Sequence, residues 1–454
     1  MPLPGDEDGT LDRRLLILWC AVLAVKLALA AWLPLVLDET YYWVWSHHLQ
    51  LSYLDHPPAV AWLFWLGHPF EGWGNAVRWP GVILGHATLL VWWPLIKRVL
   101  DQRQRYWWFI LVLLSPLIGP GTIIIVPDVP LLFSWSLALV LFIRWADRPT
   151  PAGAFMLGIA LGLGFLSKYH IVLFVPLAIL WLWREGRLSL LGTRWLLMGL
   201  VGFAVISWPV WLWNATHALA SFRFQLGHGL GAATWQPQWT WDYLLAQVGL
   251  LFPTVVYFAM RAKAGAPSWL FIFGWGPIAF FLLTSFRGRV EANWTSIAYA
   301  VLIALALYGR SRFRWAQATA AVWAVAVVVV ASHVAWPWLP LSRDRLRHEF
   351  TVFDFVHPLV GRYQPFYADS YQMASKVSYD LRAQVYQLPG LGRTSFYSYL
   401  PEAIPTEDRY FVAVRLGVVV PRQSWNRSHE EVRRILVSET HELIEFHRGS
   451  ESTP

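Results

Sequence analysis

The sequence predicts a mostly α-helical, polytopic transmembrane bundle followed by a small C-terminal α/β domain. Of its 454 residues, 56% are hydrophobic, 14% are charged and 31 are Trp, a composition typical of proteins that cross a membrane repeatedly. Apolar runs near the roughly 20 residues that a bilayer requires recur along the first three quarters of the chain. Charged residues become frequent again after Trp336. Because Cys20 is the only cysteine, no disulfide framework is available.

The apolar runs divide residues 1–335 into about eleven predicted spans. The first run is longer than a usual export signal and more runs follow it, so we expect an uncleaved first helix. A polar first loop, about residues 38–78, separates the first two spans. The predicted spans are 15–37, 79–96, 106–118, 131–145, 152–166, 171–183, 195–213, 241–260, 269–284, 295–308 and 315–334.

Basic residues are distributed unevenly among the connections between these spans. One set of connections carries sixteen Lys and Arg residues, whereas the other carries five up to the last span. The positive-inside rule makes the first set cytoplasmic, so the excess of positive charge is a topology signal and no nucleic-acid partner is expected. We predict a multi-pass membrane protein with the candidate site and the C-terminus on the outer side; the family resemblance that the motifs of these loops carry implies that this is the periplasmic side of a bacterial inner membrane. The five outward cations are Arg78, Lys168, Arg223, Arg287 and Arg289.

The last 119 residues, 336–454, are expected to form the small soluble periplasmic domain. Residues 369–383 show helical spacing, and residues 410–420 are β-branched and strand-like. Residues 430–446 again have the pattern of a helix. These elements predict an α/β domain.

The first loop opens with a carboxylate and three aromatic residues on one predicted helical face. Asp38, Tyr41, Tyr42 and Trp45 fall at i, i+3, i+4 and i+7. An isolated Asp here would be read as a helix N-cap, and the rings as an interfacial belt. A second acid, Asp55, follows 17 positions later and favours a chemical role instead.

Further acids are predicted at the same membrane face. Asp55 and His56 precede two prolines that fix the backbone and can begin the next helix, and Asp128 stands between prolines at another span entrance. Asp38, Glu39, Asp55 and Asp128 are therefore the catalytic candidates. A divalent cation held by Asp38, Asp55, His56 and Asp128 is left open, because the spacing is not diagnostic of a metal.

The outward cations suit an anionic ligand. Lys168 could be an interfacial anchor or a point charge for phosphate, and Arg223, Arg287 and Arg289 present the same choice. A carboxylate that accepts a proton, beside cations that stabilise a departing phosphate, fits sugar transfer from a polyprenyl phosphate. The aromatic faces of Tyr41, Tyr42 and Trp45 could stack on the sugar.

Taken together, these motifs resemble the C-type (GT-C) glycosyltransferase superfamily, over most of residues 30–300. The similarity is to the bacterial branch that contains protein O-mannosyltransferases, lipid A aminoarabinose transferases and rhizobial lipopolysaccharide galacturonosyltransferases. The motifs that carry it are Asp38-Glu39-x-Tyr41-Tyr42, Asp55-His56-Pro57-Pro58, Pro127-Asp128, Leu166-Ser167-Lys168-Tyr169, Leu212-Trp213-Asn214, Ser221-Phe222-Arg223-Phe224-Gln225 and Val290-Glu291-Ala292-Asn293-Trp294.

The resemblance implies inverting transfer of a sugar from a polyprenyl-phosphate donor to lipid A, lipopolysaccharide, another glycan or a protein. It implies Asp38 as catalytic base and adds Asn293 and His56 to the donor-binding candidates. The aminoarabinose branch has acid-Lys-Pro-Pro where this chain has His56 in place of the Lys. Because an unperturbed imidazole is mostly neutral at pH 7, Lys168, Arg223 or a metal ion could supply the positive charge that the Lys provides in that branch. The competing function is a transporter or flippase of a lipid-linked sugar, which predicts charged residues at mid-span; only Lys26 lies well inside a span.

Overall fold

The computed structural model describes residues 13–230, 234–341, 344–400, 403–421, 423 and 426–448. They form two compact units. The membrane unit comprises the described residues up to Leu33 together with His56–Ala335. The terminal unit comprises Pro34–Asp55 and the described residues from Trp336 onward. The terminal unit therefore includes the beginning of the predicted first loop, although about 280 residues separate its two segments.

The membrane unit is helical in its described residues, as predicted. Short 3-10 helices, Tyr169–Leu173 and Ala292–Ala298, precede α8 and α14. The second helix, α2 (Leu37–His47), belongs to the terminal unit. The helices up to Ala335 are α1 (Arg13–Trp32), α2, α3 (Ala59–Gly67), α4 (Trp79–Val99), α5 (Gln102–Leu114), α6 (Asp128–Asp147), α7 (Pro151–Ser167), α8 (Phe174–Arg184), α9 (Thr193–Thr216), α10 (Ala220–Leu230), α11 (Pro237–Leu251), α12 (Pro253–Met260), α13 (Ser268–Thr284), α14 (Tyr299–Leu307) and α15 (Arg314–Ala335).

Each predicted span overlaps a helix, but the helices differ in length. Among the described residues, five stretches are long and apolar enough to cross a membrane: Arg13–Trp32, Ala76–Val99, Asp128–Asp147, Thr193–Thr216 and Arg314–Ala335. A sixth is α11 with α12, which meet at a 93° bend. The remaining apolar helices are shorter, so the number eleven stays a prediction. The first predicted span was too long, because its helix ends at Trp32 and the chain is not helical again until Leu37.

Helices α7 and α9 pack closely because glycines face one another. A Cβ atom on Gly158 would lie 2.0 Å from the carbonyl oxygen of Gly199, and one on Gly202 would lie 2.2 Å from that of Phe155. Small residues allow the backbones of membrane helices to approach where no hydrophobic effect drives them together. Larger residues at either position would separate the two helices.

Two buried cations satisfy backbone carbonyls around α1. Lys26, within this helix, donates to the Gly119 carbonyl at 2.9 Å and to the Thr122 hydroxyl. Arg78, which is 1% exposed, donates to the carbonyls of Ala30 and Leu33 at the end of α1. A helix end leaves its last carbonyls without intrahelical partners. Arg78 therefore stabilises the end of the first helix and is not an open cation.

The terminal unit combines α2 with the predicted α/β domain. Its sheet has the strand order β2-β1-β3-β5-β4, with β1 parallel to β2 and β3 and the other pairs antiparallel. Alternating residues of β3 and β5, including Val412 and Ile444, fill its core. The elements are α16 (Arg345–Thr351), α17 (His357–Val360), β1 (Phe366–Ala368), α18 (Tyr371–Leu381), β2 (Tyr386–Gln387), β3 (Arg409–Arg415), β4 (His429–Leu436) and β5 (His441–Arg448).

The prediction for residues 369–383 is confirmed by α18, and the strand predicted at 410–420 appears as β3, which ends earlier. The helix predicted at 430–446 was wrong, because β4 and β5 form a hairpin there. Glu and Arg favour helices in isolation, but in β4 they occupy an exposed edge strand, where charge is common. The turn at residues 437–440 separates two strands rather than continuing one helix.

Candidate functional site

Helix α2 presents Asp38 at its first turn, as the spacing predicted. The adjacent Glu39 is fully buried and its carboxylate accepts the backbone N–H of Val36 at 3.1 Å, which satisfies a donor at the helix start. Asp38 is exposed and accepts no hydrogen bond from the described residues. Of these two neighbouring acids, Glu39 serves the helix and Asp38 remains available.

Asp55 lies in a buried network within the terminal unit. Its Oδ1 pairs with Arg393 Nη1 at 2.5 Å, and its Oδ2 accepts the Tyr41 hydroxyl at 2.8 Å. The Tyr41 oxygen in turn accepts the Phe396 backbone N–H at 2.7 Å. The Arg393 guanidinium lies 4.3 Å from the centre of the Tyr371 ring. This network joins the first loop to α18 and to the loop after β2, and it engages both Asp55 oxygens.

The electrostatic environment of Asp38 suits a proton acceptor near neutral pH. Desolvation by the surrounding protein raises the pKa of Asp38 to about 6, and the Glu349 and Asp55 carboxylates act in the same direction while Arg393 opposes them. Asp38 is thus a stronger base than an ordinary Asp, yet it is mostly ionised at pH 7. Burial, with the Asp55 charge next in effect, raises the pKa of the Tyr41 hydroxyl well above its usual range. Tyr41 therefore remains protonated and donates to Asp55.

The aromatic residues of α2 form packing layers. Tyr41, Tyr42 and Trp45 are at most 5% exposed. The Trp45 ring stacks on Tyr53, with centroids 4.2 Å apart and planes 9° from parallel. The Tyr41 ring lies 4.5 Å from Tyr371. These rings were predicted to stack on a sugar. In the structure they pack against other aromatic residues and so hold α2 within the terminal unit.

A second cluster lies in the membrane unit around Asp128 and Lys168. Lys168 Nζ donates to both Asp128 carboxylate oxygens, at 3.0 and 2.9 Å, and both residues are less than 10% exposed. Trp294 lies 5.6 Å from the ammonium. The ring of His170 is 4.9 Å from that of Trp294, and His170 interacts electrostatically with Lys168 and His56. The structure therefore places His56, Asp128 and Lys168 in one region, with Lys168 held by a carboxylate rather than extended into water.

Helix α10 carries Arg223 close to this cluster in the fold. The Tyr169 hydroxyl hydrogen-bonds the Ser221 hydroxyl at 2.9 Å, and the Asn214 side-chain carbonyl accepts the Phe222 backbone N–H at 3.3 Å. These bonds fix α10 to the residue that follows Lys168 and to the end of α9. Arg223 itself is exposed and forms no ion pair with the described part of the chain.

The remaining cation candidates are less engaged. Arg287 is exposed, and Arg289 forms an exposed pair with Glu291 at 3.2 Å. Asn293 is half-buried at the start of the 3-10 helix Ala292–Ala298. This helix is anchored by Gln247, whose amide donates to the Ala292 carbonyl. That anchoring also fixes Trp294 beside Lys168.

Two of the three carboxylates considered as metal ligands already hold protein cations. Asp55 is bound by Arg393 and Asp128 by Lys168. A divalent ion would have to displace a guanidinium or an ammonium from a buried pair, at the cost of desolvating an unpaired charge. The donor set therefore does not fit a resident metal, and the chemistry below is derived from the side chains alone.

Comparison with known proteins finds a family match within the membrane-spanning part of the chain. Residues 55–213 match the family described as dolichyl-phosphate-mannose-protein mannosyltransferase. The resemblance to the C-type glycosyltransferase superfamily is confirmed. The matched segment contains Asp55, His56, Asp128 and Lys168, whereas Asp38 and the terminal unit after Trp336 lie outside it.

Curated relatives of this superfamily modify lipopolysaccharide. The chain is 25% identical over 295 residues to the lipid A galacturonosyltransferase RgtD of Rhizobium johnstonii, covering 60% of this chain and 59% of that protein. It is 28% identical over 295 residues to an undecaprenyl phosphate-alpha-4-amino-4-deoxy-L-arabinose arabinosyl transferase of Erwinia tasmaniensis, covering 59% of this chain and 52% of the relative. The matches thus span between half and three fifths of these relatives.

The fold extends beyond those matches. The crystal structure of ArnT from Cupriavidus metallidurans bound to undecaprenyl phosphate superposes with a TM-score of 0.67, over 96% of this chain and 98% of that chain at 16% identity. The two proteins share a fold from the first helix to the terminal unit. The parts of the chain outside residues 55–213, including the first helix and the terminal unit, are therefore covered by this shared fold although the two sequences are only 16% identical.

Sequence reasoning missed Arg393 and Tyr371 as parts of the site. Arg393 lies 338 positions from Asp55 along the chain, and no local motif marks it. One signal was available: Tyr371 begins the helix predicted at 369–383. Only the three-dimensional pairing within the terminal unit joins both residues to the first loop.

Proposed function

We propose that the protein is an inverting glycosyltransferase that moves a sugar from a polyprenyl-phosphate donor to an extracytoplasmic acceptor. The observation that carries the proposal is Asp38, an accessible carboxylate with a raised pKa on α2, while its neighbours Glu39 and Asp55 are both engaged. The relatives that modify lipid A or lipopolysaccharide support this class of donor and acceptor.

In the proposed reaction, Asp38 accepts the proton of an acceptor hydroxyl or amine. The freed electron pair forms a bond to the anomeric carbon of the donor sugar, and the bond from that carbon to the phosphate oxygen breaks. The phosphate leaves with the bonding pair, attached to its lipid. Attack from the face opposite the leaving group inverts the anomeric configuration.

The membrane unit supplies cations for the departing phosphate in this proposal. Lys168 uses two of its three N–H donors on Asp128, so one remains for a phosphate oxygen. Arg223 is exposed, and its planar fork can bind two phosphate oxygens. Both contacts strengthen as negative charge develops on the leaving group. We expect the sites to face the periplasm, because few basic residues lie in these connections.

The test is transfer by purified protein in liposomes with a radiolabelled polyprenyl-phosphate sugar and a lipid A acceptor. We expect labelled acceptor and free polyprenyl phosphate from the wild type. Asp38→Asn should reduce turnover about 100- to 10,000-fold, because the amide keeps the shape but cannot accept the proton. Asp242→Asn, an exposed acid on α11, is the matched control. Unmodified donor that crosses the bilayer without transfer would establish the flippase alternative instead.

A further inference from the structure

The terminal unit contains a cavity of about 360 Å³ at the beginning of α18, with charged and polar side chains among its wall residues. We call it the α18 cavity; its walls are Ser370 and Tyr371 of α18, Gly392 and Arg393 of the following loop, and Arg415 at the end of β3. Its volume falls within the range of small-molecule sites. None of the site residues predicted from the sequence lies in its wall, but Tyr371 and Arg393 of the network around Asp55 do.

Two arginines make the cavity suited to an anion. Arg393 is paired with Asp55, whereas the Arg415 guanidinium forms no ion pair or hydrogen bond with the described residues. The N-cap residue Ser370 provides no side-chain cap for α18, so the first backbone N–H groups of this 11-residue helix keep their capacity to donate. Positive charge and free donors therefore meet in one wall.

An unsatisfied acceptor lies in the same wall. Asp369 is 8% exposed; its Oδ2 accepts the Arg415 backbone N–H at 2.9 Å, but its Oδ1 has no hydrogen-bond partner among the described residues. This oxygen is closed off from the cavity, so a ligand would meet the donors of the wall instead. A ligand that carries an anionic group for Arg415 and hydroxyl groups for the free N–H donors of α18 would complement this wall, which is the chemistry of a phosphorylated sugar.

Two wall residues link the cavity to α2. Arg393 and Tyr371 line it, and the Tyr371 ring packs 4.5 Å from Tyr41, one helical turn after Asp38 on α2. Both residues are also within electrostatic reach of Asp38. A sugar bound beside Tyr371 would therefore lie near the carboxylate that accepts the proton.

We propose that the α18 cavity binds the phosphorylated sugar head group of the acceptor and so brings its nucleophile to Asp38. This inference rests on the proposed function for its biological meaning, but the binding itself can be measured without turnover. It assigns acceptor recognition to the terminal unit, and it distinguishes the acceptor site from the donor phosphate site at Lys168 and Arg223.

Binding is tested by calorimetry on the full-length protein with glucosamine 1-phosphate as the probe. We expect Arg415→Gln to weaken binding about tenfold or more, as loss of a hydrogen bond to a charged group does, and Arg415→Lys to weaken it less. Arg427→Gln, an exposed arginine of the same unit outside the cavity, should leave binding unchanged. Unchanged binding by the folded Arg415→Gln protein, verified by circular dichroism, would refute the proposal.

The probes also separate the sources of the ligand. Glucosamine and inorganic phosphate should each bind more weakly than glucosamine 1-phosphate; equal binding of inorganic phosphate would mean a simple anion site and overturn the proposal. In transfer assays, Arg415→Gln should raise KM for the lipid A acceptor about tenfold and leave KM for the donor unchanged. A raised donor KM would assign the cavity to the donor. The two proposals can fail separately. If the wild type binds the probe, Arg415→Gln loses that binding and the wild type shows no transferase activity, the cavity proposal stands and the proposed function alone is refuted.

Discussion

The sharpest test of the base assignment is the replacement Asp55→Asn. The Asp55 carboxylate is one of the groups that raise the pKa of Asp38, and Arg393, its ion-pair partner, acts in the opposite direction. Asparagine keeps one acceptor oxygen for Arg393, whereas its amide nitrogen cannot accept from the Tyr41 hydroxyl, and the substitution removes the negative charge. The pKa of Asp38 should therefore fall from about 6 towards its ordinary value, since the remaining nearby positive charge is no longer neutralised.

The expected magnitude follows from this shift. A nearby charge changes a pKa by about 1 to 3 units, and we take about one unit because desolvation and the Glu349 charge, which both remain in the variant, contribute more to the raised pKa than Asp55 does. At pH 5 the ionised fraction of Asp38 should then rise from about 0.1 to about 0.5, with little change at pH 7. Relative to its own plateau, Asp55→Asn should thus be about fivefold more active than the wild type at pH 5.

The assay is the pH profile of kcat at saturating donor and acceptor, from pH 4.5 to 8.5, for both proteins. Because the substrates are identical, their own ionisation cancels in the comparison. The wild type should lose activity as pH falls through about 6, since Asp38 must be unprotonated, and the variant should lose it about one unit lower. Complete loss of activity in Asp55→Asn at every pH, with the fold intact, would identify Asp55 as the base and refute the reasoning.

Three further predictions concern cations of the membrane unit. Lys168→Ala should lower the free energy of unfolding by about 3 to 5 kcal/mol, because it leaves Asp128 buried without a partner. The double variant Lys168→Met, Asp128→Leu should recover the thermal stability, measured in detergent, without recovering transfer. Recovered transfer would exclude the pair from donor binding. Arg223→Ala should raise KM for the donor without lowering the melting temperature. Arg223→Lys should restore only part of the affinity, because the planar guanidinium that binds two oxygens is replaced by a point charge. Unchanged donor kinetics in Arg223→Ala would place the phosphate elsewhere. Lys26→Met should leave transfer within about twofold and the melting temperature nearly unchanged, since an apolar side chain of similar volume replaces a buried charge; loss of transfer by a stable variant would give Lys26 a functional role.

The sequence was sufficient for the features that depend on local patterns. The apolar runs predicted helices throughout the membrane unit, and the spacing from Asp38 to Trp45 predicted α2 and its shared face. The two prolines after His56 predicted the start of α3, which follows Pro58. In each case neighbouring residues determine the outcome, so one chain without relatives carries the information.

The features that the sequence could not supply depend on distant partners. Glu39 and Asp38 are equivalent acids in the sequence, and only the bond to Val36 distinguishes them. Lys168 was read as an interfacial anchor or a phosphate-binding charge because nothing local reveals its partner Asp128, 40 positions away. The hairpin β4–β5 was mistaken for a helix because its charges suit either an edge strand or a solvated helical face. Long-range pairing decided each of these questions.

The division of the terminal unit between two distant segments has a consequence for biosynthesis. Residues 34–55 leave the ribosome long before residue 336, and at about 5 to 20 residues per second the interval is roughly 15 to 60 s. During that time α2 lacks Tyr371, Arg393 and Phe396, which later cover its aromatic face. The newly made loop must therefore wait, with the aromatic face of α2 not yet covered by α18 and by the loop after β2, until the last quarter of the chain has been synthesised.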